Sequence, residues 1–202
     1  MASLTPLAFA ALDLLNEAPM HPYEMFQTML HRQEERNVKV RPGTLYHQVG
    51  RLAELGLAEV VGTDRDGNRP ERTTYTITDA GRTALADGLR RMVAEPADEY
   101  PEFHLALSVL ENLPRVEAVD AVRARIVALE RERDEYDEAL RRVHAKQLTE
   151  RYWLDVSYVR AMLTAQIEWL RTTVDRIDGG DLPWDGPAVP TELPTNSKDT
   201  TR

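Results

Sequence analysis

The stretch Pro42-Gly43-Thr44-Leu45-Tyr46-His47-Gln48-Val49-Gly50-Arg51-Leu52-Ala53-Glu54-Leu55-Gly56-Leu57 decides how this chain is read. Pro42 suits the first position of a helix, where its missing N–H leaves no donor wasted. Leu45, Val49, Leu52 and Leu55 then recur at helical spacing and predict one buried stripe between Pro42 and Leu55. Gly56 stops the helix, as a residue able to adopt the left-handed conformation does. The remaining face carries Thr44, His47, Gln48 and Arg51, side chains able to touch base edges and phosphates. Solvated helices carry such residues too, so the surroundings have to decide.

Downstream, Leu57 to Val61 is a short apolar run, and Thr63-Asp64-Arg65-Asp66-Gly67-Asn68-Arg69-Pro70 is charged and rich in turn formers. Arg72 to Thr78 alternates with the period of a strand, so the segment predicts a two-stranded hairpin with a long tip. Arg65, Arg69 and Arg72 are suited to phosphate contact or to a minor groove, diluted by Asp64, Asp66 and Glu71. Upstream, Thr5-Pro6 opens a helix whose apolar face is Leu7, Ala8, Ala11, Leu12, Leu14 and Leu15. Pro22 opens a second, with Tyr23, Phe26, Met29 and Leu30 spaced to about Gln33. The polar connection from Arg32 to Arg41 delivers Lys39 and Arg41 to the start of the pivotal helix, and both join the candidate DNA contacts. After the hairpin, Thr78-Asp79 caps a further helix with the stripe Leu85, Leu89, Met92 and Val93, broken at Glu95-Pro96-Ala97-Asp98. Three helices, a hairpin and a fourth helix are the order of a winged helix-turn-helix, which predicts double-stranded DNA as partner.

A formal net charge of -9 argues at first against nucleic acid. Its distribution answers the objection. From His31 to Arg91 there are 11 Lys and Arg against 9 Asp and Glu, whereas Pro96 to Arg202 holds 14 against 21. The acidic excess lies away from the expected reading head.

From Arg115 to Lys146 the chain contains no Gly or Pro, and Val119, Val122, Ile126, Leu129, Tyr136, Leu140 and Val143 form a heptad seam with Arg133 where one apolar residue is missing. Unbroken, it spans about 48 Å. A second long helix, about Thr149 to Ile177, carries Val156, Val159, Leu163, Ile167, Leu170, Val174 and Ile177. Two helices of this length in so small a domain predict a homodimer with two-fold symmetry, with Val119, Val122, Ile126, Leu129, Leu163, Ile167 and Leu170 at its contact; an intramolecular hairpin is the other arrangement. The expected fold class is therefore mainly α. A winged helix-turn-helix with a two-stranded wing fills residues 1–95, a C-terminal long-helix dimerisation domain 96–178, and a loose Pro-rich tail 179–202 in which Trp184 docks locally.

The chain resembles the PadR family of bacterial transcriptional regulators. The resemblance is carried by Gly43-Thr44-Leu45-Tyr46, Arg51-Leu52, Leu55-Gly56-Leu57 and Tyr75-Thr76-Ile77-Thr78, followed by Ala80-Gly81-Arg82 and Leu85. The long acidic helical C-terminus is similar to the larger subfamily, whose C-terminal domain makes the dimer. The resemblance implies that the Pro42–Leu55 helix enters the major groove and that the hairpin touches flanking backbone or minor groove. Carried over by position, Thr44 and Tyr46 would meet phosphates or bases, and Arg72 would be a wing cation. The position after the motif tyrosine, often proline in the family, is His47, and Glu71 interrupts a segment that is often more basic. Repression by occupancy of a two-fold operator, relieved by an effector, is the implied mechanism. Because some members bind planar aromatic compounds, Tyr152, Trp153 and Trp169, with Tyr158 nearby, become effector candidates, although aromatic residues on long helices also serve packing.

Other classes find little support. The chain has no cysteine, which removes disulfides, thiolate zinc sites and thiol nucleophiles. His21, His31, His47, His104 and His144 show no metal-ligand spacing, and no phosphate loop or nucleophile elbow is present. No enzyme, metal or cofactor is expected. The apolar opening Leu4–Leu15 is too short to span a bilayer and lacks a basic flank, so neither membrane nor export is expected and the cytoplasm is. A winged-helix protein-interaction module without strong DNA binding is the alternative, kept open by Glu71 and the acidic total.

Overall fold

The computed structural model describes residues 4–64 and 72–184. The chain divides into two units, Met1–Glu99 and Tyr100–Arg202. In the first, α1 (Pro6–Glu17) begins where the Thr5 hydroxyl accepts from the Ala8 N–H, and it buries Leu7, Ala8, Ala11, Leu12, Leu14 and Leu15. Every residue of the expected face is inside.

Helix α2 (Pro22–His31) is capped by His21, whose Nδ1 accepts from the Tyr23 N–H at 3.0 Å while Glu24 accepts from the His21 N–H. Its buried stripe is Pro22, Met25 and Met29. Phe26 packs at the margin, but Tyr23 and Leu30 face solvent, contrary to the spacing expected from sequence. The reason is phase: Pro22, Met25 and Met29 are related by three and four residues and point together into the core, where α2 packs on α3. A 3₁₀ turn at Glu34–Arg36 and an extended segment then lead to α3 (Pro42–Glu54), which buries Leu45, Val49 and Leu52 completely.

Leu55, expected on that stripe, is 50% exposed because the helix has already ended. Gly56 takes φ 70°, the Gly56 N–H donates to the Ala53 carbonyl and the Leu57 N–H to the Leu52 carbonyl. These two bonds are the reversal that satisfies a helix's last carbonyls. The chain enters β1 (Ala58–Asp64), antiparallel to β2 (Arg72–Ile77), with Ala58 opposite Ile77 and Asp64 opposite Arg72, and a bulge between Val60 and Gly62. Met20, between α1 and α2, exchanges both backbone hydrogen bonds with Tyr75, at 2.9 and 3.1 Å.

Thr78 caps α4 (Asp79–Ala94) by accepting from the Gly81 N–H, and its hydroxyl donates to the Gly56 carbonyl at 2.7 Å. A Cβ at Gly81 would lie 2.1 Å from the Leu57 carbonyl oxygen, so only glycine lets α4 approach the end of α3. Of the expected α4 stripe, Leu85 packs on the core, whereas Leu89, Met92 and Val93 are exposed. The third turn still meets α1 through Gly88, which lies against the Phe9 ring, and the last turn carries Met92 and Val93 past it.

The second unit is a helical hairpin. A short helix α5 (Glu102–Ser108) and a 3₁₀ turn precede α6 (Arg115–Ala145), and a 3₁₀ turn at Glu150–Tyr152 precedes α7 (Leu154–Gly179), five residues later than the expected start. The seams close on each other: Val119, Val122, Ile126, Leu129 and Tyr136 pack with Leu163, Ile167, Leu170, Val174 and Ile177. Arg133, in the gap of the seam, keeps its guanidinium beside Asp134 and Asp137. Antiparallel register is marked by ion pairs of Arg160 with Asp137, Arg171 with Glu130, and both Arg115 and Arg123 with Asp178. Leu182 and Trp184 continue the packing beyond α7, the Trp184 indole donating to the Leu113 carbonyl at 2.9 Å. The expected tail thus begins with an anchored segment; residues 185–202 lie outside the described ones. Among the described residues no helix is long and apolar enough to cross a membrane.

Two glycines give a matched stability test. Gly81→Ala is expected to cost about 1–3 kcal/mol, because its methyl meets backbone. Gly50→Ala, mid-helix with open space at the Cβ position, is expected to stabilise by about 0.5–1 kcal/mol. Urea denaturation of both variants checks the signs.

A charged cluster supplies a pH test. Arg32 clamps Glu17 through its two terminal guanidinium nitrogens, at 2.6 and 2.8 Å, and this hydrogen bonding holds the Glu17 carboxyl below its usual range. Burial, then the Glu17 charge, raises Asp13; burial chiefly raises Glu34. A lowered carboxyl stabilises the fold above its unfolded value and loses that contribution as pH falls through the folded value. Arg32→Gln is therefore expected to cost no more than about 1 kcal/mol at neutral pH, the pair being half-exposed. The difference from wild type should vanish as the pH is lowered below the ordinary carboxylate range, which denaturation at stepped pH measures.

Candidate nucleic-acid interface

Three helices of the first unit have their first turn closed by a side chain, α1 by Thr5, α2 by His21 and α4 by Thr78. The exception is α3, whose N-cap is Arg41 and whose first turn has no side-chain cap. Its leading N–H groups and the positive end of its dipole are open to an acceptor from outside. The signal was legible at Arg41-Pro42, where no Ser, Thr, Asp or Asn precedes the proline.

The approach to this end is built by alternation. Val38 and Val40 pack on the core, so the intervening Lys39 and the following Arg41 are exposed beside the N-terminus of α3. Along the helix, burial of Leu45, Val49 and Leu52 leaves Thr44, Tyr46, His47 and Arg51 exposed. Tyr46 is partly engaged, its ring meeting that of His21 edge-on at 5.7 Å. Gln48 is half-buried and turned toward α1, where its Oε1 accepts from the Thr5 hydroxyl. Thr5 and His21 were not among the sequence candidates, because their roles depend on which helices cross. Arg65 and Arg69 lie outside the described residues; Arg72 stands in β2 opposite Asp64, and its side chain lies outside what is described.

The C-terminal candidates are scattered. Trp153 donates its indole N–H to the Leu148 carbonyl and meets His144 edge-on at 4.9 Å, so it closes the turn between α6 and α7. Tyr152 is exposed beneath the Arg151 guanidinium. Trp169 is 52% exposed and sixteen residues beyond Trp153, about 24 Å along α7, so one chain does not gather these rings into one pocket. Leu154, Tyr158, Met162 and Trp169 instead share the outer face of α7, all of them exposed. Val119, Val122, Ile126, Leu129, Leu163, Ile167 and Leu170, expected at a contact between copies, are spent on the hairpin's own core, since each seam meets the other within the chain. What a second copy would meet is the flank. Among the described residues no group of three or more His, Asp or Glu is placed to hold a metal ion.

Comparison with known proteins gives this geometry its context. Residues 11–87 match the model of the transcriptional regulator PadR-like family. In the solved structures, Bacillus subtilis PadR in complex with operator DNA is similar with a TM-score of 0.72 and 20% identity, covering 85% of this chain and 99% of that one. The same protein in complex with p-coumaric acid has a TM-score of 0.70 at 19% identity, covering 88% and 98%. The Vibrio cholerae virulence activator AphA has a TM-score of 0.60 at 16% identity, covering 86% and 99%. A search of curated protein sequences found no match. Residues 11–87 hold the greater part of α1, all of α2 and α3, both strands of the hairpin and the first half of α4, and they make a PadR-like domain.

Proposed function

We propose that the chain is a sequence-specific regulator that acts in the cytoplasm as a homodimeric repressor, occupying a two-fold operator and leaving it when a small aromatic effector binds. The observation that carries the DNA reading is the open N-terminus of α3, flanked by exposed Lys39 and Arg41 and followed by exposed Thr44, Tyr46, His47 and Arg51. Backbone donors with two cations beside them suit a phosphate, and the side chains one turn further along suit base edges. That a protein of this fold was crystallised in complex with operator DNA supports DNA as the partner. Half-sites about 34 Å apart suit a symmetric pair of reading helices.

Two copies are supported by the outer face of α7, where Leu154, Tyr158, Met162 and Trp169 leave an apolar stripe uncovered in one chain. The effector reading rests on the aromatic members of that stripe and on the fold neighbour bound to p-coumaric acid. Repression is preferred to activation because a dimer seated on two half-sites obstructs by occupancy alone, although a neighbour of this fold is described as an activator.

Fluorescence anisotropy on the DNA upstream of the chain's own gene tests the first claim. Affinity is expected to fall with salt, and Lys39→Ala with Arg41→Ala to reduce the slope of log K against log salt by about 2. Equal affinity for that DNA and for random competitor at low salt would sink the proposal. Sedimentation tests the second. Met162→Glu with Trp169→Glu should give a folded monomer with weakened operator binding, whereas Ile167→Ala, inside the hairpin core, should cost about 2–5 kcal/mol of stability. A wild-type monomer at micromolar concentration would contradict the dimer. For the effector, p-coumaric acid should quench tryptophan fluorescence and release DNA; release without binding to the protein, or binding without release, would count against it.

A further inference from the structure

The Thr5 hydroxyl has two partners. It accepts from the Ala8 N–H at 3.2 Å, capping α1, and donates to Oε1 of Gln48 at 2.9 Å. A residue at the start of the first helix thereby holds a side chain of α3, 43 positions further on. A hydroxyl has one proton to give. The Ala8 N–H takes one of the oxygen's two lone pairs and the proton goes to Oε1, so the amide stands with its oxygen toward Thr5. Leu4, Ala8, Leu52 and Leu55 line, with Gln48 itself, the open cleft beside this contact.

An unrestrained glutamine reads adenine with both ends of its amide, Oε1 accepting from N6 and Nε2 donating to N7. Here Oε1 is engaged, and Nε2 with its two N–H donors is left to face outward. Such a group is matched by base edges rich in acceptors, O6 and N7 of guanine or O4 of thymine, and not by the paired donor and acceptor of adenine.

We propose that Thr5 is a positioning residue that sets the base preference of Gln48, locking its amide as a donor so that the chain selects guanine or thymine where an unlocked glutamine would select adenine. This rests on α3 being the helix that enters the groove. The lock joins two segments that no local pattern in sequence connects, which is why neither residue announces it alone.

Selection of the full chain on an operator library, followed by sequencing, tests it with Thr5→Val, Thr5→Ser and Gln48→Ala. Wild type and Thr5→Ser are expected to prefer guanine or thymine at one symmetric position. Thr5→Val, which keeps the shape but loses the hydroxyl, is expected to move that position toward adenine by about tenfold, within the range a bidentate pair discriminates. Gln48→Ala should flatten the same position and remove any further effect of Thr5→Val. Because Thr5→Val also loses a helix cap, circular dichroism is recorded alongside. A uniform loss of affinity for all sequences would reduce Thr5 to its cap and overturn the proposal, as would an unchanged preference. Failure of wild type to select any sequence would instead remove the groove reading on which it stands.

Discussion

The direction in which the chain leaves α3 is settled within three residues, and the remainder of the first unit is arranged around that turn. Gly56 adopts the left-handed conformation, closing the last carbonyls of α3 onto the Gly56 and Leu57 N–H groups. The Thr78 hydroxyl then donates to the Gly56 carbonyl, the Thr78 N–H donates to the Leu57 carbonyl, and Gly81 lets α4 lie against that same oxygen. The end of α3, the base of both strands and the start of α4 therefore share one knot of backbone groups. Gly56 and Leu57 thus terminate α3 through their N–H groups and hold the start of α4 through their carbonyls, so the orientation of α3 relative to the hairpin is set at this turn as well as by the apolar core beneath it.

The second unit solves a different problem by different means. Its two long helices close their seams on each other, and their polar flanks are joined by ion pairs that run from Arg171 and Glu130 to Arg115 and Asp178 at the far end. Exposed pairs of this kind contribute little stability each. They do oppose a sliding of one helix past the other, since a shift of one turn would set Asp178 away from both arginines that now hold it.

Much of this was legible in the sequence because local signals there have local causes. Thr5-Pro6, Thr78-Asp79 and Gly56 are caps and stops whose chemistry acts within a few residues, and each sits where expected. Stripes were less faithful where the helix extends beyond its partner. Leu89, Met92 and Val93 satisfy the periodicity of α4 yet face outward, because periodicity records a possible buried face and not the extent of what covers it. The heptad seams are buried apolar surfaces from Val119 to Tyr136 and from Leu163 to Ile177, but sequence does not say whether a seam's partner is another copy or the next helix; the short connection from Lys146 to Trp153 makes the next helix the nearer choice. Within the candidate site, Thr44, His47 and Arg51 followed from helical phase, whereas the engagement of Tyr46 by His21 and of Gln48 by Thr5 depends on crossings between helices that no window contains.

The small bridge between Met20 and Tyr75 has a consequence for how such a protein diverges. Tyr75 pairs with Val60 on one side and with Met20 on the other, so β2 is held from both edges close to its base. Register is then fixed at the end of the hairpin nearest the core, independently of how many residues lie at its tip. Lengthening a loop whose ends are held costs only about 0.6 kcal/mol per doubling. Residues between β1 and β2 can therefore be gained, lost or exchanged over generations while α3 stays where it is, and the helix and the loop proposed to meet DNA are free to evolve at different rates.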